Sequence, residues 1–265
     1  MDQNIFKDKV VIITGSRQGI GKSLAQYFAG YGAKLVIVSR NSDGLEKVRN
    51  NLTARGCDVL SIAGDISDES VCSEIVNQSI SKFGKIDILI NNAGISGKGG
   101  VEEGNSVVFR KQVEVNLLGS FYMARYSLPY IRVTRGSIIF VSSLAGIHGI
   151  PYYSGYSASK MALTALAQSL KAELHGLNVH IGVAYVGFTE NDPKKEAFLP
   201  NGELKPMEKR KVKTVTTERT AALIVRQIIN RKFISVHSGI GKVQWIVSKI
   251  FPDLIEMILR RNLSK

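Results

Sequence analysis

The sequence predicts a single α/β domain over residues 1–265, in which a seven-stranded parallel sheet carries helices on both faces. Seven short runs rich in β-branched residues recur along the chain, and stretches with helical periodicity separate them. No Pro/Ser-rich linker or internal repeat divides the 265 residues, a length that one α/β domain commonly reaches. Ligands of such sheets bind at the carboxyl ends of the strands.

The predicted strands are nearly continuous apolar runs, as expected of strands that are covered on both faces. In chain order they are Lys9–Thr14, Ala33–Ser39, Val59–Ile62, Ile86–Ile90, Ser137–Val141, Val179–Ala184 and Phe233–Val236. Between the first two, apolar residues from Leu24 to Phe28 recur at helical spacing. The chain therefore starts with a β-α-β unit.

A glycine-rich turn joins the first predicted strand to the first helix. Glycine permits the tight turn and the close approach of backbone to a pyrophosphate, and the N–H groups at the helix start attract the phosphates. In this strand-turn-helix context the pattern predicts the dinucleotide site of a Rossmann fold. Its predicted cofactor-binding residues are Gly15, Ser16, Arg17, Gly19, Ile20 and Gly21.

Tyr156 and Lys160 lie four residues apart, which places them on one face of a helix. An ammonium beside a phenol stabilises the phenolate and lowers the pKa of the phenol from about 10. The spacing alone is common, and it also fits a surface tyrosine that packs on a lysine stem. Together with the glycine turn it predicts a proton-transfer site.

Five motifs resemble the short-chain dehydrogenase/reductase family in identity, order and spacing, from about Lys9 to Gly187. They are Thr14-Gly15-x-x-x-Gly19-x-Gly21, Asn91-Asn92-Ala93-Gly94, Asn116, Ser143 and Tyr156-x-x-x-Lys160. The runs around Ser143 and Tyr156 look most like the hydroxysteroid dehydrogenase and 3-ketosphinganine reductase branch. In that family a Pro-Gly pair usually follows the sixth strand, whereas this chain has Val186 before Gly187.

The resemblance implies a catalytic role for four residues. Tyr156 would exchange a proton with the substrate oxygen, and Lys160 would lower its pKa and bind the nicotinamide ribose. Ser143, rather than its neighbour Ser142, would hydrogen-bond the carbonyl oxygen. Asn116 would hold a water that links Lys160 to solvent. Elementary chemistry agrees, because a phenol and a hydroxyl aimed at a carbonyl oxygen stabilise the charge that develops there during hydride transfer.

The end of the second predicted strand indicates the cofactor. Proteins that prefer NAD have an Asp or Glu there, whereas this chain has Ser39, Arg40 and Asn41. Arg40 can pair with a 2′-phosphate, with Arg17 as a second partner, so we expect NADP(H). The further cofactor contacts that the resemblance implies are Asp65, Ile66, Asn92, Ala93, Gly94, Tyr156, Lys160, Gly187 and Thr189.

The predicted substrate cleft is mostly apolar, with a lid at about residues 188–215. Its expected lining is Ile95, Ser96, Leu144, Ile147, Ile150, Tyr152, Tyr153, Val186, Phe188, Phe198 and Leu199. We therefore expect an NADP(H)-dependent oxidoreductase that interconverts a ketone and a secondary alcohol on a lipid- or steroid-like substrate. The alternative is a catalytically weak family member that binds NADP as a sensor or scaffold.

The last quarter of the chain is basic and amphipathic. Glu190–Lys265 has 16 Lys/Arg against 8 Asp/Glu, which is +8 of the net +13. Apolar spacing over residues 242–262 predicts a short helix on each side of Pro252. Its apolar face is expected to pack on the domain or on a twin subunit of a dimer or tetramer, or else to make a peripheral membrane contact. Nucleic acid is disfavoured, since no aromatic and basic residues interleave.

Other classes of site find little support. Cys57 and Cys72 lack metal-ligand spacing, and the four histidines are scattered without a nucleophile motif, so we expect neither a metal site nor a serine hydrolase. The first residues lack the apolar core of a signal peptide, and no apolar run is long enough to span a bilayer. We therefore expect a cytoplasmic protein.

Overall fold

The computed structural model describes residues 4–190, 195–207 and 214–263, with side chains described as far as residue 261. Its centre is a seven-stranded parallel sheet in the order β3-β2-β1-β4-β5-β6-β9, which confirms the predicted fold class. The strands are β1 Val10–Thr14, β2 Lys34–Ser39, β3 Val59–Ala63, β4 Ile88–Asn91, β5 Ser137–Ser143, β6 His180–Val186 and β9 Ile234–Val236; β7 Glu196–Phe198 and β8 Leu204–Pro206 form a separate antiparallel hairpin.

Helices cover both faces of the sheet because successive strand side chains point to opposite sides. On β1, Val10 and Ile12 join one core with α3, α5 and α6, while Val11 and Ile13 join the other with α1, α2 and α7. The helices are α1 Gly19–Ala29, α2 Ser42–Thr53, α3 Glu69–Phe83, α4 Ser106–Val113, α5 Gly119–Thr134, α6 Ser154–Glu173, α7 Thr217–Ile229, α8 Gly239–Ile250 and α9 Pro252–Leu263. A π-helical turn, Glu114–Leu118, joins α4 to α5.

The strand order reverses between β2-β1 and β4-β5, so a crevice opens at the carboxyl ends of β1 and β4. The glycine turn follows β1, and Asn92 to Gly94 follow β4. Ser143 ends β5 and Val186 ends β6, and these two residues are register partners. The topology therefore brings the predicted motifs to one edge of the sheet.

Most of the described part of the predicted lid is the β7-β8 hairpin. Isolated bridges join Gly97 to Phe198 of this hairpin and Gly99 to Tyr153. Lys98 donates its backbone N–H to the Phe198 carbonyl (2.9 Å), and Gly99 donates its own to the Tyr152 carbonyl (2.7 Å). The chain after β4 thus lies between the hairpin and the segment that leads into α6. The rest of the predicted lid in residues 191–194 and 208–213 lies outside the described residues, including Lys194 and the basic run Lys209–Lys213.

No helix in the described ranges combines the length and apolarity needed to cross a membrane.

His180 begins β6 as a buried, neutral residue. Its Nδ1 lies 3.2 Å from Ser137 Oγ and its Nε2 lies 3.1 Å from the Lys232 carbonyl, so Nε2 carries the proton that it donates. Burial lowers the pKa of His180 from 6.5 to about 4. The unfolded chain therefore binds a proton that the folded chain does not between pH 6.5 and pH 4, and acid destabilises the fold over that window.

We expect His180→Gln to flatten the fall in stability with acid, because glutamine can keep both hydrogen bonds without titrating. The measurement is the free energy of urea unfolding at about pH 7 and about pH 5. His175→Gln is the matched control, since His175 is exposed. An equal pH dependence in wild type and His180→Gln would contradict a neutral buried imidazole.

Candidate active site

The glycine turn between β1 and α1 is shaped for close backbone contact. Gly15 and Gly19 have φ values of +66° and +56°, which favour glycine. A Cβ at Gly21 would lie 2.2 Å from the Gly15 carbonyl oxygen, and one at Gly15 would lie 2.8 Å from Ala93 Cα. Above Gly19, by contrast, nothing described lies within 4 Å of the Cβ position. The turn therefore fits a phosphate group at the start of α1.

Thr14 and Asn92 hold this turn against the end of β4. Thr14 Oγ1 accepts the backbone N–H groups of Asn92 and Ala93, both at 3.0 Å. Asn92 Nδ2 donates to the carbonyls of Thr14 (2.9 Å) and Gly15 (3.1 Å). Asn92 thus positions the turn through its side chain. Thr14 belongs to the motif, but the sequence analysis gave it no role of its own.

Ser16 and Ser39 connect the turn to β2 and β3. Ser16 is fully buried, and both its N–H (3.1 Å) and its Oγ (3.2 Å) donate to the Val38 carbonyl. The Ser39 carbonyl accepts from the N–H of Gly64 at 3.1 Å. Ser16 therefore fixes the turn to the sheet, and its expected contact with a cofactor stays a prediction.

Arg17 and Arg40 lie where the chain leaves β2 and enters α2. Asn41 caps α2, with its Oδ1 accepting the Gly44 N–H at 2.7 Å. The stem of Arg17 packs on Gly44, where a Cβ would lie 2.4 Å from Arg17 Cδ. Arg40 Nη1 lies 3.6 Å from Asp65 Oδ2, and both side chains are exposed. Two cations thus flank this corner, with one acid beside Arg40.

Asp65 and Ile66 follow β3. Asp65 Oδ1 accepts the N–H (3.0 Å) and the hydroxyl (2.8 Å) of Ser67, which fixes its carboxylate at the strand end. The side chain of Ile66 is buried and faces Gly119, where a Cβ would lie 2.8 Å from Ile66 Cδ1. Only the backbone of Ile66 is therefore placed to meet a ligand.

Lys160 is buried at the centre of the site. It is 5% exposed, and its Nζ donates to the Val141 carbonyl at 2.9 Å, two residues before Ser143. A Cβ at Gly94 would lie 3.0 Å from Lys160 Nζ and 3.1 Å from Asn116 Oδ1, so these three residues converge. Burial lowers the pKa of Lys160 to about 8, and the charge of Lys195 acts in the same direction. The ammonium is held there against a desolvation cost.

Asn116 sits in the π-helical turn, a local distortion that is frequent at functional sites. Its Oδ1 accepts the Ile95 N–H (2.8 Å), and its Nδ2 donates to the Ile95 carbonyl (3.0 Å) and to Ser159 Oγ (2.9 Å). Ser159 Oγ in turn donates to the Tyr156 carbonyl at 2.9 Å. The amide therefore ties the chain after β4 to α6, and its expected role in holding a water stays a prediction.

The paired serines at the end of β5 point to opposite sides of the sheet. Ser142 is buried, and its Oγ donates to the Lys160 carbonyl at 2.8 Å. Ser143 is half-buried, and its Oγ accepts the Ala145 N–H at 3.3 Å. Ser142 thus anchors α6, which leaves Ser143 as the serine with access to the cleft.

Tyr156 is half-buried in the first turn of α6, one turn before Lys160. The residue before it, Gly155, lies against Gln112, whose Oε1 would be 2.3 Å from a Cβ at that position. Gln112 is buried and donates to the Gly97 carbonyl at 3.4 Å. Sequence analysis missed Gln112 and Ser159, both of which position the start of α6, since their role depends on contacts between distant segments.

The chain after β6 closes the other side of the cleft. Gly187 passes Ser238, whose Oγ would lie 3.1 Å from a Cβ there. Thr189 is buried and its Oγ1 donates to the Gly187 carbonyl at 3.3 Å. Val186 and Leu144, both expected to line the cleft, are buried in the two cores, so that expectation is wrong for most of their side-chain surface.

Within the ranges that the structure describes, no three His, Cys, Asp or Glu residues cluster as metal ligands would.

Comparison with known proteins identifies the family. The model for the short chain dehydrogenase family matches residues 9–200. The chain is 33% identical over 262 residues to 11-beta-hydroxysteroid dehydrogenase A of Sesamum indicum, covering 95% of this chain and 74% of that protein. It is 32% identical over 250 residues to 3-ketodihydrosphingosine reductase of Bos taurus, covering 91% of this chain and 73% of that protein.

A solved structure agrees with these matches. The fold superposes with a TM-score of 0.83 on a short chain dehydrogenase/reductase from Burkholderia phymatum in complex with NAD, at 22% identity, covering 94% of this chain and 95% of that one. The motifs at the sheet edge, the family model and the relatives lead to one conclusion. The chain belongs to the short-chain dehydrogenase/reductase family of oxidoreductases, in the branch of the hydroxysteroid and ketosphinganine enzymes.

Proposed function

We propose that this protein is an NADP(H)-dependent oxidoreductase that interconverts a ketone and a secondary alcohol on an apolar, lipid- or steroid-like substrate. The observation that carries the proposal is the buried ammonium of Lys160, one helical turn from Tyr156 and packed against Asn116 and Gly94. A protein that only binds a nucleotide could use Lys160 for the ribose, but it would have no need of Tyr156 one helical turn away and Ser143 at the end of β5. The assembled side chains therefore favour catalysis over a sensor or scaffold.

The mechanism assigns each side chain one task. NADPH, when bound, supplies the hydride. The Ser143 hydroxyl donates a hydrogen bond to the carbonyl oxygen, and the Tyr156 phenol delivers the proton that the oxygen needs as it becomes an alkoxide. Lys160 stabilises the resulting phenolate, so its proton affinity matches neutral pH. In alcohol oxidation the same groups act in reverse, with the phenolate as the base.

The preference for NADP(H) rests on the corner between β2 and α2. Arg40 and Arg17 supply guanidinium groups that suit a phosphate. Two acids lie near them: Asp65, which follows β3 and pairs with Arg40 at 3.6 Å, and Asp43 in the first turn of α2. The β2 end itself carries no carboxylate. A ribose 2′-phosphate would therefore meet cations rather than an acid.

Two relatives support the apolar substrate, since their names specify a hydroxysteroid and a ketodihydrosphingosine. In this chain Ile147 and Phe198 are half-buried and Phe188 is exposed beside the cleft. We also propose a homo-oligomer, supported by exposed apolar side chains along α4, the π-helical turn, α5 and α6. They are Phe109, Leu118, Phe121 and Met161.

We expect Tyr156→Phe and Lys160→Met each to lower kcat for ketone reduction about a hundredfold or more, because they remove the general acid and the cation that tunes it. The measurement is the decay of NADPH absorbance with a panel of ketones, with circular dichroism to check folding. Ser143→Ala should lower kcat as well, whereas Ser142→Ala, its matched control, should act on stability. NADPH binding without turnover in wild type would favour the sensor instead.

Lys160→Met should also increase stability at neutral pH. The pKa of the buried amine is about 8, against an ordinary 10.5, so the charged form carries a penalty of about 3 kcal/mol. The penalty is full below pH 8 and disappears as the pH rises from 8 to 10.5. The measurement is the free energy of urea unfolding. It should be larger for Lys160→Met than for wild type near neutral pH, and the difference should shrink as the pH rises above 8. A less stable variant at neutral pH would contradict the burial of a cation.

Arg40→Asp should weaken NADP binding and leave NAD binding unchanged or improved, because it removes a charge-assisted contact and adds repulsion. Arg17→Ala should have a smaller effect in the same direction. Both are measured by titration with each cofactor. Arg55→Asp, at an exposed site beyond the end of α2, controls for net charge. A wild-type preference for NAD would refute the assignment of the cofactor.

A further inference from the structure

The C-terminal helices α8 and α9 present apolar side chains to solvent. On α8 the exposed residues are Ile240, Val243, Ile246 and Ile250, which recur at helical spacing on one side. Ile240 is 80% exposed and Ile250 is 61% exposed, so neither packs on the domain. Of the alternatives for the apolar side chains of this segment, packing on the domain therefore does not apply to Ile240 and Ile250.

The opposite side of α8 is the one that holds the helix to the domain. Gln244 Nε2 donates to the Leu144 carbonyl at 3.3 Å, and a Cβ at Gly241 would lie 2.6 Å from Leu144 Cδ2. Trp245 packs on the core from this side, with Lys249 Nζ 4.2 Å from its ring centroid. Leu144 follows Ser143 directly, so α8 is anchored beside the candidate active site.

Apolar side chains are also exposed at the connection after α8 and along α9. Phe251 is 61% exposed, and Leu254, Met257 and Ile258 are exposed as well, while Ile255 is buried on the other side of the helix. We call the exposed apolar residues of α8 and α9 the C-terminal stripe. An unpartnered stripe of this size marks an interaction site rather than ordinary surface.

Charge decides between the partners that such a stripe could take. Helix α8 has Lys242 and Lys249 and no acidic residue. Helix α9 is mixed, with Asp253 and Glu256 as well as Arg260 and Arg261, and Arg260 pairs with Glu256 at 2.6 Å. Both lysines are exposed. On a helical wheel both lie at one border of the stripe of α8, between it and the side that faces the domain. An apolar face with cations at its border is the arrangement that lies in the interface of an anionic bilayer.

A second copy of the chain fits this surface less well. In a twofold dimer a patch meets its own copy, so one contact would hold the lysines of both α8 helices, and α8 offers no acidic residue to pair with them. Self-association has another apolar surface available, that of Phe121 and Met161.

We propose that the C-terminal stripe docks this protein on the surface of an anionic lipid bilayer. Aliphatic side chains and Phe251 enter the acyl boundary, and Lys242 and Lys249 contact the headgroups. This proposal goes beyond the oxidoreductase activity and does not require it. Because α8 is anchored to the residue after Ser143, docking would bring the cleft to the membrane surface, where an apolar ketone is concentrated.

The test is cosedimentation of the full chain with vesicles of phosphatidylcholine alone or mixed with phosphatidylserine. We expect binding to the anionic vesicles, weakened by salt because the headgroup attraction is screened. Val243→Gln with Ile250→Gln should weaken it about tenfold or more, since two apolar side chains no longer enter the bilayer. Lys242→Gln should weaken binding to anionic vesicles and change little with neutral ones.

Matched controls keep this test specific. Val101→Gln with Val133→Gln makes the same change at residues that are 87% and 84% exposed elsewhere, and Arg55→Gln removes an exposed charge away from the stripe. Both should bind like wild type. Absence of binding at low salt, or equal loss in stripe and control variants, would overturn the proposal. So would a stripe variant that turns a dimer into a monomer by light scattering without changing vesicle binding.

Discussion

The active-site edge of this structure depends on one costly feature, the burial of the Lys160 ammonium beneath the carboxyl ends of β4 and β5. Burial lowers the pKa of this amine to about 8, so at neutral pH the fold retains a cation that solvent would hold more favourably. Only one hydrogen bond to protein is recorded for its Nζ among the described residues, to the Val141 carbonyl. The surrounding chain must therefore be rigid enough to keep the group in place, and its contacts show how.

Three glycines make room for this lysine and its helix. A Cβ at Gly94 would lie 3.0 Å from Lys160 Nζ, and one at Gly146 would lie 2.7 Å from the Lys160 carbonyl oxygen and 2.4 Å from Ser142 Oγ. Gly155 gives the same close approach to Gln112 at the start of α6. These glycines are needed for contact between segments rather than for a turn, since none of them has a positive φ. Serine, asparagine and glutamine side chains then fasten the close-packed segments together.

The sequence predicted the sheet because each strand shows its own local signal, a β-branched run bounded by polar residues or glycine. Strand ends were less accurate, and β6 runs on to Val186, two residues past its predicted end. A proline there would lack the N–H that a ladder uses, whereas valine can pair, and it is the register partner of Ser143. The hairpin within the predicted lid could not be predicted from the sequence, because its strands have three residues each and show too little alternation of apolar and polar residues.

Site residues that belong to a sequence motif could be predicted, whereas those whose role depends on contacts between distant segments could not. The spacing that selected Ser143 agrees with the structure, because alternation along β5 commits Ser142 to α6. Ser159 and Gln112 were missed, as their partners lie 43 and 15 residues away. Helix α8 shows the limit of helical spacing: it predicts an amphipathic helix, but not that Trp245 packs on the domain while Ile246 and Ile250 are exposed.

Two buried titratable side chains, His180 and Lys160, differ in whether burial leaves them neutral or charged at neutral pH. His180 is buried as a neutral imidazole, and each of its ring nitrogens has a hydrogen-bond partner, Ser137 Oγ for one and the Lys232 carbonyl for the other. In the proposed mechanism Lys160 cannot do the same, since a neutral amine would not stabilise a phenolate. A fold selected for stability alone would place a neutral group at Lys160, as it does at His180. The burial of this amine next to Asn116 and Gly94 therefore supports the proposal that the sheet edge serves proton transfer.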